Sequence, residues 1–569
     1  MAILAGVACD DSSPSGTPPP DPPSVAVEYL SPTDHLVRTS MVLRGVRPSP
    51  DELKQVAVDG AALPGLVDRY LASPEFGATI KDLHNETLWL RTNDVKYTFR
   101  PIPGTAFPTG TFQESAEAVS EEPLRLIEHV VMTDRPYSEI VTANYTFANG
   151  VAAAIWGLPY TGDGATWQKT SWQQAVEPRP AAGILSSSQL YFRYRSAGAN
   201  YHRGRANEIS RSLLCHDYLA ADIIVDTSID LADPEVVANA VVANPSCAGC
   251  HQTLDPLGSF LPAFRANIAV GNITEYPVPD MYRRNREQQW MTTTKRPPGF
   301  FGVPATGIDG LGALIAADPR FARCAAQRFA SYFTERDQES LPVAWISRLT
   351  EAFNASGLNA KALARAIVLS DEFRASHVAA GQGAAGDEAA EELVGLQKIR
   401  PEQLDRMMQD LTGFRWQTNA SGKIGNVPIG VANLLQSDAV GFRALAGGID
   451  SLFVTLPSHT YNAVATLVLR RLAADAAGFV VTADFAKPNR ATRKLLTLVD
   501  ATTRTPAEIR SQLAALHLRI YGQLDAADSA EVELTYGLFA DTLAQANDVP
   551  RAWKTTIAAM LQDLRIAYF

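Results

Sequence analysis

Apolar positions recur at helical spacing along most of the chain, and strict two-residue alternation is scarce. In "RPSPDELKQV", Ser49 is placed to cap a helix, Pro50 takes its first position, and Glu52 completes a capping box. "LPGLVDRYLASPEFG" predicts an amphipathic helix that stops at Ser73-Pro74, because the residue before a proline is pushed out of helical backbone. "NAKALARAIVLSDEFR" repeats this arrangement, with Leu369 to Phe373 echoing Leu71 to Phe76. Near the end, "RIYGQLDAADSAEVEL" pairs Asp528 with Glu531 as another cap, ahead of a final helix in "RAWKTTIAAMLQDLRIAYF". "AGFVVTADF" reads as a strand set among helical patterns. The echoes predict helix-pair modules without a strict repeat. The expected fold class is mainly α, in a multi-domain helical protein.

A length of 569 residues exceeds one ordinary core, so several domains are expected. "AAGQGAAGDEAAEE", 379–392, is small and polar without an apolar period and predicts a linker. The expected division is a tether at 1–25, an N-terminal helical domain at 26–180, a central region at 181–378 with its own helical module, and a C-terminal helical domain at 393–569. Pro- and Gly-rich stretches near 101–110 and 173–183 mark loops. The segment 271–306 is a long excursion without periodicity, and loops of that length often serve function. A surface excursion packing its own Trp290, Phe300 and Phe301 is the plain alternative.

Composition changes this picture little. Hydrophobic content of 46% with 20% charged residues describes a folded chain. A net charge of −11 with no basic stripe argues against a nucleic-acid partner. No run of 18 apolar residues predicts a transmembrane span. At the N-terminus, "MAILAGVACDD" is apolar and small-residue-rich, and "SSPSGTPPPDPPS" after it reads as a flexible tether. "LAGVAC" resembles the cleavage region of a bacterial lipoprotein signal, with Cys9 as the lipidated residue and an outer-membrane anchor as the consequence; an ordinary disordered terminus is the alternative.

There are five cysteines: Cys9, Cys215, Cys247, Cys250 and Cys324. "NPSCAGCHQTLDPLG", 244–258, holds Cys247 and Cys250 about one helical turn apart, with His251 directly after. Cys-x-x-Cys-His is the attachment pattern of a c-type haem: two thiols form thioethers with the vinyl groups, and the imidazole binds iron from below. No second Cys or His pair lies near enough to complete a zinc site, and there is one such motif in the chain. A single covalent haem c is therefore expected, with His251 as proximal iron ligand. The "DPLG" that follows reads as a turn, and a backbone carbonyl within it is the expected partner for the other ring nitrogen of His251. With Cys9 assigned to lipid, Cys215 and Cys324 are left to form a disulfide; two buried free thiols are the alternative.

Candidates for the sixth iron position are His202, in "AGANYHRGRANEIS", and Met281 or Met291 downstream; an open position is the remaining case. Arg203 and Arg205 are candidate partners for the haem propionates. Elsewhere, "GDG" at 162–164 and "GIDG" at 307–310 read as turns, with calcium binding as the alternative, and Glu121-Glu122 as a solvated helix start.

"DRPYSEIVTANYTFANGVAAAIWGLP" (134–159), "AAGILSSSQLY", "RGRANEISRSLLC", the haem segment itself, "ADPRFARCAAQRFASYF" and "ALARAIVLSDEF" together resemble a group of exported bacterial proteins. These are assembled from domains of unknown function around one haem-c motif, the planctomycete-type cytochrome C-like architecture. The resemblance covers about 35–380 well and 390–569 more loosely, and it implies a helical fold with haem attached in the middle.

Three functions follow as expectations. The first is an exported, periplasmic or cell-surface protein that exchanges single electrons with another exported redox protein or enzyme, of basic or neutral surface. The second is a haem-dependent oxidoreductase with an open sixth site, which the large scaffold favours. The third is a helical interaction protein in which haem is subordinate.

Overall fold

The computed structural model describes residues 25–92, 98–197, 200–220, 228–230, 232–393, 395–419, 421–424 and 427–569. The N-terminal tether and the lipidation expected at Cys9 lie outside the described residues. Helix makes up 56% and strand 5% of the fold, which is mainly α and multi-domain. The strands form two-stranded antiparallel pairs. In one of them Val27–Tyr29 lies against Ala375–Val378, joining the start of the described chain to the end of the central region.

Local signals set many boundaries where the sequence predicts them. Ser49 caps Pro50–Val58, with the reciprocal Glu52 bond of a capping box. Ser73 separates Leu63–Leu71 from Pro74–Leu88. Ser370 does the same between Ala360–Val368 and Asp371–Arg374. The cap expected at Asp528 is instead Ser529, whose side chain accepts from Val532 N, with the helix running Ala530–Ala546.

One expectation is corrected. "AGFVVTADF" is not a strand but the end of the helix Ala463–Phe485. Ala473, Ala476, Ala477, Val480, Val481 and Asp484 form one buried helical stripe, and that packing overrides local β propensity. The segment 379–392 contains the helix Gly383–Glu392. Apolar packing also continues across it, because one core runs from Leu36 to Ala567.

Charged side chains stitch the two ends of that core together. On the helix Pro401–Thr412, Arg406 pairs with Asp82 at 2.6 Å, and Asp82 also binds Arg91 at 2.6 Å. Arg400, just before that helix, bonds Glu86 at 2.8 Å and Glu335 at 3.0 Å. Each of these three arginines is matched by carboxylates, which offsets the cost of burying its charge.

Glu121 and Glu122 are also corrected. They lie within Phe112–Met132 and are buried, not solvated. Glu121 pairs with Arg91 at 2.6 Å and Lys81 at 3.2 Å. Glu122 is 1% exposed and accepts from Trp172 Nε1 at 3.2 Å and from the hydroxyls of Thr146 and Ser187. Burial pushes its carboxyl up from 4.5 to about 7, even though these three donors oppose the shift. As pH rises, the unfolded chain loses this proton before the folded one, so stability falls between about 4.5 and about 7. The loss is on the order of 3 kcal/mol at 1.36 kcal/mol per unit. Glu122→Gln removes this fall, since both hydroxyls can rotate to suit an amide. Denaturant midpoints at pH 5 and pH 8 check it: the wild type is expected to lose more of its midpoint at pH 8 than the variant, in which Glu402, pushed up by burial to about 7, still contributes a fall.

Candidate functional site

The Cys-x-x-Cys-His motif lies on one helix, Pro245–Gly258, with Asn244 as N-cap accepting from Ser246 N and Pro245 at the first position. The expected "DPLG" turn is absent: Pro256 lies inside the last helical turn, where it has no N–H to give the carbonyl of Gln252 four residues back. Gly258 serves close approach rather than a turn. A Cβ there would meet Tyr201 O at 3.0 Å, so glycine lets the helix end press on the backbone at 201–203.

Cys247 and Cys250 are free and half-buried, and Cys250 packs against the main core. Helical spacing puts both thiols and His251 on one side of the helix, within about 6 Å of rise. His251 Nδ1 lies 2.9 Å from Asp255 Oδ1, one turn on. An ionised carboxylate can only accept, so Nδ1 carries the proton and Nε2 presents its lone pair. The acceptor is thus a side-chain carboxylate and not the backbone carbonyl expected from the sequence.

Asp255 is 1% exposed. Burial alone would raise its pKa, but bonds from His251 and Arg203 hold it below the usual carboxylate range. Arg203 grips both oxygens, Nε to Oδ1 at 2.7 Å and an Nη to Oδ2 at 3.0 Å. Arg296 arrives from the long excursion: its guanidinium bonds His251 O and Val241 O, each at 3.0 Å, and lies 4.0 Å from Asp255 Oδ2. Thr294 adds a hydroxyl contact to Ser259 at 2.8 Å. The excursion is therefore fastened alongside the motif helix.

The helix before the motif, Pro234–Ala243 ("PEVVANAVVA"), packs on it and is strongly apolar, yet none of its described side chains is buried. Val236 is 38% and Val242 63% exposed. An apolar helix left uncovered beside two free thiols and a His with an available Nε2 fits a haem, whose flat apolar face would cover it. Cys247 and Cys250 would hold the group, and His251 would bind its iron. Among the described residues no set of three or more His, Cys, Asp or Glu side chains is arranged to hold a metal ion.

The remaining candidates have the following surroundings. His202 precedes Arg203–Leu214 in left-handed backbone, φ 64°. Its Nδ1 lies 3.0 Å from Arg205, which can only donate, so the neutral ring holds its proton on Nε2 and offers no lone pair outward. Burial, with Arg205 beside it, lowers its pKa to about 3. Arg205 is 2% exposed and bonds the carbonyls of Tyr191, Tyr194, Arg265 and Ala266, which commits it to the backbone rather than to a propionate. Arg203 is committed to Asp255. Met281 is 2% exposed within a separate apolar cluster with Trp156 and Phe192. Met291 is 52% exposed, on the excursion that Arg296 ties to the motif.

Cys215 and Cys324 form the expected disulfide, joining the end of Arg203–Leu214 to the helix Pro319–Thr334. "GDG" is a turn, with Asp163 Oδ1 accepting from Ala165 N and Thr166 N. "GIDG" opens the helix Gly307–Ala317. Asp255 and Glu122 are the side chains that sequence reasoning missed; the four-residue spacing from His251 to Asp255 was the available signal for the first.

Residues 40–158 match the family model of a protein of unknown function (DUF1592), and residues 302–373 match that of a protein of unknown function (DUF1585). The chain carries both domains. They are the domains of planctomycete-type cytochrome C-like proteins. The Cys-x-x-Cys-His helix lies between the two matched segments. No curated protein and no solved structure matches the chain. Among the described residues no helix is long and apolar enough to cross a membrane.

Proposed function

We propose that this chain is an exported mono-haem c-type protein that passes single electrons to or from a redox partner in the cell envelope. The observation that carries the reading is the pairing of two free thiols with a His251 whose Nδ1 is fixed by Asp255, beside an apolar helix none of whose described side chains is buried. Haem would supply the one-electron couple; the chain's part is to anchor it, orient its proximal ligand and exclude water from one face. The Cys215–Cys324 disulfide supports an oxidising compartment, and lipid attachment at Cys9 with an outer-membrane anchor belongs to the same proposal.

Around the motif both signs of charge are present: the excursion carries Arg283, Arg284, Arg286, Lys295 and Arg296 against Glu275, Asp280 and Glu287, and the apolar helix packed on the motif adds Asp233 and Glu235.

A second reading, a haem oxidoreductase with an open sixth site, is favoured by one observation: His202 and Met281 are both engaged elsewhere. Visible spectra of the reduced protein, with and without carbon monoxide, separate the two. The carrier reading expects a low-spin spectrum that the gas leaves unchanged. Prompt carbon monoxide binding would replace it with the oxidoreductase.

A further inference from the structure

We infer that Asp255 and Arg203 set the electron affinity of the iron that His251 binds, Asp255 favouring the oxidised state and Arg203 opposing it. The inference rests on the haem reading above. Neither residue would touch the iron; both are positioning residues that act through the imidazole.

The geometry supports a chain of influence with opposite signs. Asp255 Oδ1 accepts from His251 Nδ1 at 2.9 Å, with the carboxylate 1% exposed and the imidazole half-buried, so water screens the interaction only partly. A ring sharing that proton with a buried carboxylate is more basic at Nε2, which stabilises the ferric state over the ferrous one. Arg203 binds the same Oδ1 at 2.7 Å and the other oxygen at 3.0 Å, drawing negative charge away from the ring. Arg296, 4.0 Å from Oδ2, adds to that draw. Arg203 owes its place to the fold, since the close contact of Gly258 with Tyr201 O brings the start of Arg203–Leu214 against the motif helix. On reduction one electron enters the iron, supplied by the partner or by dithionite in a titration. No bond forms or breaks, and the Nδ1 proton stays where it is.

The test is a redox titration of the full chain carrying covalent haem, with haem content measured for every variant. Asp255→Asn keeps an oxygen for the Nδ1 proton but removes the charge. It is expected to raise the midpoint by at least a tenfold change in the ferric/ferrous equilibrium, about 59 mV for one electron. Arg203→Met is expected to lower the midpoint, and Arg203→Lys to fall between it and the wild type. Should Arg203→Met not accumulate, Arg203→Gln is read in its place with the same expected sign. A purely structural role would shift both substitutions the same way or not at all, and either result overturns the inference. A wild type without covalent haem overturns the haem reading itself.

Discussion

Replacing Cys247 and Cys250 together by alanine is expected to abolish covalent haem while leaving the helical fold in place. Both thiols are unpaired and half-buried, so their loss removes little from the core. Helix Pro245–Gly258 keeps its Asn244 cap and its buried Leu254 and Leu257. The effect should thus be near complete on attachment and small on structure. Co-expression with a haem-c maturation system, followed by haem staining of denatured protein, reads the first; far-ultraviolet circular dichroism reads the second. Either single replacement leaves one thioether and should retain part of the stain. Full covalent haem in the double variant would refute the central assignment.

The second large effect is expected at Cys215–Cys324. The bridge spans 109 residues of sequence and encloses the whole motif region. Constraining the unfolded chain over a loop of that length is worth about 4–5 kcal/mol on the loop-entropy account, and removing such native bridges typically costs 2–5. The cross-link also holds Arg203–Leu214 against Pro319–Thr334, with Arg328 Nε reinforcing it by a 3.1 Å bond to Ser212 O. Replacing both cysteines by serine should lower the denaturant midpoint of the central region and speed proteolysis between 216 and 323. An unchanged midpoint would show that helix packing and Arg328 suffice there.

Much of the helical plan was legible because its signals are local. The caps at Ser49 and Ser370 need only a neighbour three residues away, and the break at Ser73 only the proline after it. "AGFVVTADF" misled because its β-branched residues look alike in a strand and in a buried helix, and only the stripe beginning at Ala473 separates them. The segment 379–392 looked like a linker from composition alone, although alanine and glutamate are also good helix formers. Glu121 and Glu122 looked solvated because charge usually marks surface, whereas Arg91, Lys81, Thr146, Trp172 and Ser187 come from distant parts of the chain to satisfy them.

At the site the division is similar. By itself the sequence determined the two thiols and the imidazole on one helical face, the count of cysteines that left Cys215 for Cys324, and the mainly helical class. Those depend on spacing, number and periodicity, which a chain carries in one dimension. Only the tertiary structure decided that Asp255 holds His251, that Arg203 shares that carboxylate, that Arg205 bonds backbone carbonyls, that Met281 packs in another apolar cluster, and that the described side chains of Pro234–Ala243 stay unburied. Such facts rest on which buried groups satisfy one another across long sequence distances, and that competition for partners is settled only when the core closes.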